Sequence, residues 1–295
     1  MSSYRRRTGQ WTDVLRAAWA ALGRRPRLRR LNRAGHRVYA QWERIRYGTV
    51  LTADVRSLYA YLRAERRAAG GPPVRVRLRE LGGASMELRP GTTDAVSLRD
   101  TFRDRVHIPP PEVTTRGVRQ IVDLGANIGA TIAHNAVLYP EARILGVELD
   151  PGTAALAARN VAPWADRCQI IQGAVSPHDG TAHYLREGQR EDGYRVVDAS
   201  SSEPGTMTTR ALSVATILGR LPAGARVDFL KMDIEGVEAS LLSGEGAAWA
   251  DRVDAIALQV HYPYTVEACI RDLEARGFTA RVDPRRPNCV VGVRP

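Results

Sequence analysis

Apolar positions along this chain follow two periods, and the change from one to the other divides it. Near the N-terminus the spacing is helical: Trp11, Leu15, Trp19 and Leu22 share one face, with arginines around them. Val55, Leu58, Tyr59 and Leu62 do the same and predict a second helix over 52–69, stopped by Gly70-Gly71-Pro72-Pro73. Past that break the runs shorten. Val74 to Leu78 alternates with arginine and predicts an exposed strand, paired as a hairpin with Met86–Arg89 across Gly82-Gly83. Arg89-Pro90-Gly91-Thr92-Thr93-Asp94 reads as a polar turn before a helix over Val96–Phe102. Ile121–Leu124, Ile144–Val147, Gln169–Ile171, Val227–Met232 and Ala255–Val260 are nearly continuous apolar runs, the signature of strands buried on both faces. Helical stretches lie between them: Ala130 to Tyr139, halted by Pro140, then Thr153 to Val161, and Val266 to Arg276 before Gly277. Phe278–Val282 and Cys289–Val293 predict a closing strand pair around Pro284 and Pro287.

Strand, glycine turn, helix and strand in succession make a βαβ unit with parallel strands. Five αβ repeats and a terminal strand pair predict an α/β, doubly wound sheet, where ligands bind beyond the carboxyl ends of the strands. Asp123, Glu148, Gly173, Asp233 and His261 all fall at such ends.

The turn after the first of these strands selects the ligand. A dinucleotide site calls for Gly-x-Gly-x-x-Gly, whose middle glycine admits a pyrophosphate. The chain has Asp123-x-Gly125-x-Asn127-x-Gly129, with no middle glycine and an acid at the entrance. That acid repels a pyrophosphate and welcomes an ammonium or sulfonium. Glu148, closing the next strand, can accept hydrogen bonds from ribose hydroxyls. Gly173 and Ala174 are small enough for an adenine to lie flat on the backbone. A ribose, a positive end and no phosphate describe S-adenosylmethionine; a unit with no ligand, or one for NAD, is the alternative. With that cofactor, the pattern is the seven-stranded, Rossmann-like methyltransferase sheet.

Charge refines the division. The net charge is +11, and residues 1–46 alone hold 13 arginines against two acids. The basic character thus belongs to a basic, mainly helical N-terminal extension, residues 1–72, and the methyltransferase domain is expected over 73–295. The extension reads as a solvated arm, or as a surface for an acidic partner, RNA or anionic lipid. Lys231 is the single lysine among 42 arginines, which marks a position where arginine does not serve. Cys168, Cys269 and Cys289 form no Cys-x-x-Cys pair, so zinc and a disulfide framework are not expected. No apolar run reaches a membrane span or forms a signal core, and a cytoplasmic setting is the expectation.

Methyl transfer needs in-line geometry and, for a hydroxyl acceptor, a base. The fourth strand end offers Lys231, Asp233 and Glu235; alternation puts Lys231 and Asp233 on one face. His261, from the fifth strand, is the leading base because imidazole titrates near neutrality. It can instead orient substrate or pack. Asp233 and Glu235 are a candidate Mg²⁺ pair, a weak signal, and Glu235 can equally cap the following helix. His36, His107, His134, His178 and His183 read as structural, the last two flanking a turn at Asp179-Gly180. The acceptor pocket is expected in a loop over 178–208, where Arg186, Arg190 and Arg195 can face an anionic substrate or simply solvent.

These residues resemble a known family. IVDLGANIG, GVELDP and above all VDFLKMDIEGVEASLL are similar to the FkbM-type methyltransferases, as is the RPGTTD turn. The resemblance spans about 86–295. It implies S-adenosylmethionine-dependent methyl transfer, usually to a hydroxyl of a sugar, polyketide or other secondary metabolite. The family's acid near the fifth strand end is Gln259 here, which puts a metal role at that position in doubt. A nucleic-acid methyltransferase holding RNA through the basic arm is the competing expectation, and a cofactor-binding module without catalysis a third. Against the second stands Asp-Ile-Glu-Gly where base-amine methylating enzymes carry Asn/Asp-Pro-Pro-aromatic; ribose methylation stays open.

Overall fold

The computed structural model of the chain describes residues 41–66, 71–186, 194–197, 203–234, 236–243 and 245–295. Contacts divide the chain into one unit of Met1–Val50 and another of Leu51–Pro295. Within the first, residues 41–50 are helical, and the Arg46 guanidinium stacks on Trp42 and Tyr47, 5.2 and 5.1 Å from their ring centroids. The expected helix around Trp11–Leu22, the arginine-rich turn after it, His36, Glu235 and Arg190 lie outside the described residues.

The larger unit starts ahead of the glycine–proline break. Helix α1 (Val55–Ala64) is capped by Asp54, which accepts from the Ser57 N–H at 2.8 Å. Its Tyr61 and Ala64 pack on Val76, Leu78, Met86 and Leu88 of a hairpin, β1 (Val74–Arg77) and β2 (Ser85–Leu88). The alternation in β1 resolves as expected: Val76 points in, Arg75 and Arg77 out. Helix α2 (Asp94–Asp104) follows; the buried Asp94 holds Arg89 at 2.8 Å, so the turn before it is pinned by an ion pair. A short helix α3 (Pro111–Thr114) leads into the sheet.

The sheet elements are β3 (Gln120–Leu124), α4 (Ala130–Leu138), β4 (Arg143–Glu148), α5 (Pro151–Val161) and β5 (Cys168–Gln172). Then come β6 (Ala174–Ser176), β7 (Gly180–Arg186), β8 (Tyr194–Val197), β9 (Met207–Ser213) and α6 (Val214–Leu218). The chain closes with β10 (Phe229–Met232), α7 (Glu238–Leu242), β11 (Ala255–Gln259), α8 (Val266–Ala275), β12 (Thr279–Val282) and β13 (Cys289–Val293). Seven strands form one sheet in the order β12-β13-β11-β10-β3-β4-β5. The run β11-β10-β3-β4-β5 is parallel, and β13 is antiparallel to both its neighbours. This is the expected doubly wound α/β sheet. Both faces are apolar, as the unbroken runs required: Val122, Leu124, Leu230 and Met232 point to one, Ile121, Ile144, Phe229 and Ala257 to the other. The chain reverses its direction of winding between β3 and β10, the switch point where such sheets open a crevice.

Two expectations are corrected. Helix α1 buries Ser57, Tyr61 and Ala64 and leaves Val55 and Tyr59 exposed, so the face of Val55, Leu58, Tyr59 and Leu62 is not its inner one. Much of 178–208 is strand, not loop: β6, β9, β7 and β8 form a second, four-stranded sheet in that order. The physical reason is alternation, with Ala182 and Tyr184 buried between Thr181, His183 and Leu185. His183 is therefore a strand residue opposite Thr208 and Val197, not the flank of a turn. The crossover from β5 to β10 is this sheet and the short α6 in place of a simple αβ repeat.

Candidate functional site

The turn after β3 is drawn tight by backbone hydrogen bonds to β4. The N–H groups of Gly125 and Ala126 both donate to the Val147 carbonyl, at 3.0 and 2.9 Å. Gly125 has φ +87°, and a Cβ there would stand 1.9 Å from the Asp233 carbonyl oxygen. The backbones of β3 and β10 therefore meet where any side chain would hold them apart. Asn127 takes the left-handed φ of 48° that asparagine tolerates, its Oδ1 accepting from the Ile128 N–H at 2.7 Å. Gly129 begins α4 against α5, where a Cβ would press on the Ala157 backbone at 3.2–3.3 Å. Asn160 of α5, buried, joins two layers: Nδ2 donates to the Ile128 carbonyl at 2.9 Å and to that of Glu87 in β2 at 3.1 Å.

Glu148 ends β4 inside the crevice and is buried. Each carboxylate oxygen accepts one backbone N–H: Oε2 from Asn127 at 2.8 Å, Oε1 from Asp150 at 3.0 Å. Burial pushes its carboxyl up to about 7, aided by the Asp150 charge, against the two N–H bonds and Lys231. Each oxygen keeps acceptor capacity to spare.

Lys231 and Asp123 are register partners on β10 and β3, on one face of the sheet. Lys231 Nζ donates to Asp123 Oδ1 at 2.9 Å and to the Gly125 carbonyl at 3.0 Å. Thr131 Oγ1 donates to the other Asp123 oxygen. Burial pulls the ammonium down, but the charges of Asp123, Asp233 and Glu148 more than offset it, so it titrates above an ordinary lysine. Lys231 thus enters the site as a fixed cation that braces the turn.

His261, following β11, lies between two acids. Its Nδ1 is 2.5 Å from Oε1 of Glu238, which is fully buried, and its Nε2 is 3.6 Å from Asp233 Oδ1. The other Glu238 oxygen accepts the Gly236 N–H at 2.9 Å. A carboxylate only accepts, so His261 carries a proton on Nδ1 toward Glu238. Gln259 places its amide 3.0 Å from Nε2. Glu238 lies in the motif that carries the family resemblance, and only the tertiary fold brings it to His261.

A cavity of about 270 Å³ spans these strand ends. Gly125, Asn127, Glu148, Gly173, Ala174, Lys231 and Asp233 contribute to its wall; Asp123, Gly129 and His261 do not line it. Tyr194, Ser97, Asp100, His107 and Arg286 complete regions of the wall that sequence reasoning did not assign. Gly173 is glycine for another reason besides the cavity: a Cβ would meet Leu212 at 2.9 Å and the Arg210 carbonyl at 3.0 Å. Among the described residues, no group of three His, Cys, Asp or Glu is arranged to hold a metal ion, and no helix is long and apolar enough to cross a membrane.

Residues 123–279, more than half of the chain, match the family model described as the methyltransferase FkbM domain. Over 155 residues the chain is 28% identical to the O-methyltransferase imqG of Aspergillus flavus, covering 48% of this chain and 62% of that protein. It thus spans less than two thirds of this relative's length. Among solved structures it is similar to the precorrin-6y C5,15-methyltransferase of Geobacter metallireducens, with a TM-score of 0.37 and 15% identity over 61% of this chain and 81% of that one. It is also similar to the METTL16 methyltransferase domain, with a TM-score of 0.41 and 12% identity over 68% of each chain.

Proposed function

The chain belongs to the FkbM methyltransferase domain family, and we propose that it transfers a methyl group from S-adenosylmethionine to a hydroxyl of a small molecule, a sugar, polyketide or other secondary metabolite. The cofactor reading rests on Glu148. A buried carboxylate in the cavity wall, holding one backbone N–H on each oxygen, is suited to accept two more donors, as a ribose diol offers. Acids in the wall at Asp100, Glu148 and Asp233 suit a ligand with a cationic end and disfavour a pyrophosphate. The residues that would hold the cofactor are Gly125, Asn127, Glu148, Gly173, Ala174 and Asp233. Asp123 and Gly129 act on it indirectly, through the shape of the turn. When bound, S-adenosylmethionine supplies an electrophilic methyl on a sulfonium.

In this reading Lys231 fixes the Gly125 turn, and His261 is the base. Glu238 holds the Nδ1 proton, which makes Nε2 the basic nitrogen; there the Gln259 amide donates at 3.0 Å, a bond that an acceptor hydroxyl would replace in handing over its proton. The imidazolium that forms is stabilised by two carboxylates. Methyl transfer to oxygen is the chemistry named for the Aspergillus flavus relative.

Calorimetric titration with S-adenosylhomocysteine tests the first half: micromolar binding by the wild-type protein, lost in Glu148→Ala. A folded wild-type protein that does not bind overturns it. Incubation with methyl-labelled cofactor and a panel of sugars, polyketides and RNA tests the second. Label in the RNA alone would replace the small-molecule reading.

A further inference from the structure

Two histidines that the chemistry above does not use form a buried chain ending at the cavity. Glu80 Oε2 stands 3.4 Å from His134 Nε2, and His134 Nδ1 is 2.9 Å from His107 Nε2. Both rings are 1% exposed, and His107 belongs to the cavity wall. His107 Nδ1 is buried and, among the described residues, has no hydrogen-bond partner.

The tautomers follow from one end. The Glu80 carboxylate can only accept, so His134 carries its proton on Nε2. His134 Nδ1 is then an acceptor, and His107 must donate to it from Nε2. That leaves a bare lone pair on His107 Nδ1. Neither ring charges to escape this. Burial first, then His134, Lys231, Arg285 and Arg105, hold His107 well below the usual histidine value; burial and Arg105 hold His134 at about 4. A buried acceptor with nothing donating to it is costly, so the site is built for a donor that arrives with the ligand. The cations around it each face a carboxylate: Lys231 has Asp123, Arg105 has Glu80, Arg285 has Asp283, and Arg286 in the same wall has Asp104 at 3.9 Å. The acids Asp100 and Asp233 share the wall. A cationic donor is therefore tolerated as well as a neutral one.

We propose that His107 is a ligand-contacting residue of this cavity, its Nδ1 accepting a hydrogen bond from an N–H or O–H of the bound S-adenosyl ligand, with Glu80 and His134 fixing the tautomer. This rests on the S-adenosylmethionine reading. The donor is the ligand's ammonium or a ribose hydroxyl that Glu148 does not take.

Nitrogen NMR of ¹⁵N-histidine protein, assigned with His107→Gln, tests it beside calorimetry. Without ligand, His107 and His134 show neutral Nε2–H tautomers. Adding S-adenosylhomocysteine shifts His107 Nδ1 in the direction of an accepted hydrogen bond, and His107→Phe weakens binding about tenfold or more. 5′-Methylthioadenosine, which lacks the amino-acid end, separates the sources: a loss confined to S-adenosylhomocysteine assigns the ammonium, an equal loss the ribose. Glu80→Leu leaves the interior packing in place and is expected to mix the tautomers and weaken binding. An Nδ1–H tautomer in the wild type overturns the proposal. So does an Nδ1 signal unmoved by a ligand that binds, with His107→Phe affinity within twofold, as a resident water would give. Failure of the wild type to bind S-adenosylhomocysteine at all removes the cofactor reading itself.

Discussion

Lys231 Nζ meets Asp123 Oδ1 at 2.9 Å across adjacent parallel strands, from residues in register with each other. The pair closes the floor of the crevice, and the same ammonium reaches the Gly125 carbonyl. Both side chains are nearly buried, so neither tolerates loss of the other.

Lys231→Met is expected to destabilise the fold by about 3–5 kcal/mol, because it strands a buried carboxylate. Asp123→Leu combined with Lys231→Met should recover much of that. Lys231→Arg should also lose stability, since a planar fork cannot replace one ammonium donating both to a carboxylate and to a carbonyl. Denaturant unfolding of the wild type, these three variants and Asp123→Leu alone checks this; additive losses in the double variant would show that the pair is not coupled.

Glu148 makes ligand binding pH-dependent. Its folded carboxyl titrates at about 7, above its unfolded value of 4.5, so the folded state binds the extra proton between these limits. Stability therefore falls as pH rises from about 4.5 to 7, by at most about 3 kcal/mol. Ligand hydroxyls favour the ionised form. Affinity for S-adenosylhomocysteine should then weaken as pH drops below about 7, by up to about tenfold per unit, with proton release on binding near neutrality. Calorimetry in buffers of different ionisation enthalpy reads both. Glu148→Gln should flatten the profile and, by facing an amide N–H group to a backbone N–H, cost about 1–3 kcal/mol.

Glu238 holds a single tautomer of His261. In the wild type, nitrogen NMR should show Nδ1–H; in Glu238→Gln the amide can donate as well as accept, and a mixture should appear. His261→Ala removes the donor from a fully buried carboxylate and should cost about 1–3 kcal/mol, partly restored by His261→Asn. Loss of methyl transfer in both Glu238→Gln and His261→Asn, by about 10²–10⁴-fold with cofactor affinity kept, is the expected kinetic signature.

Gly125→Ala should abolish cofactor binding and destabilise by well over 2 kcal/mol, because its Cβ would collide with backbone at Asp233 in addition to the cost of φ +87°. Gly117→Ala is the control: φ is +84° with nothing within 4 Å, so only the conformational cost of about 1–2 kcal/mol applies. Equal losses in the two variants would show that the close approach of β3 and β10 is not a constraint.

The sequence by itself determined the sheet. Runs such as Ile144–Val147 are apolar at every position, which only a strand covered on both faces requires, and Pro140 and Gly277 stop helices for covalent reasons. It also located the crevice, because acids and glycines ending apolar runs must lie at strand ends. The second sheet is legible too, in the alternation of Thr181 to Leu185, beside the competing turn signal at Asp179-Gly180. What only the tertiary structure decided is how charges and protons are paired. Asp123 guards the turn in the sequence, and the fold brings Lys231, far along the chain, to one of its oxygens. His261 read as a base without a partner, and the fold brings Glu238 to its Nδ1. His107 and His134 read as structural, and only their 2.9 Å contact, with Glu80 at one end and the cavity at the other, fixes their tautomers. Periodicity records which elements form and what the sheet strands bury, but not the inner face of α1, where Ser57, Tyr61 and Ala64 are buried and Val55 and Tyr59 exposed. Which polar atom meets which is set by strand register and helix docking, and those depend on the whole chain at once.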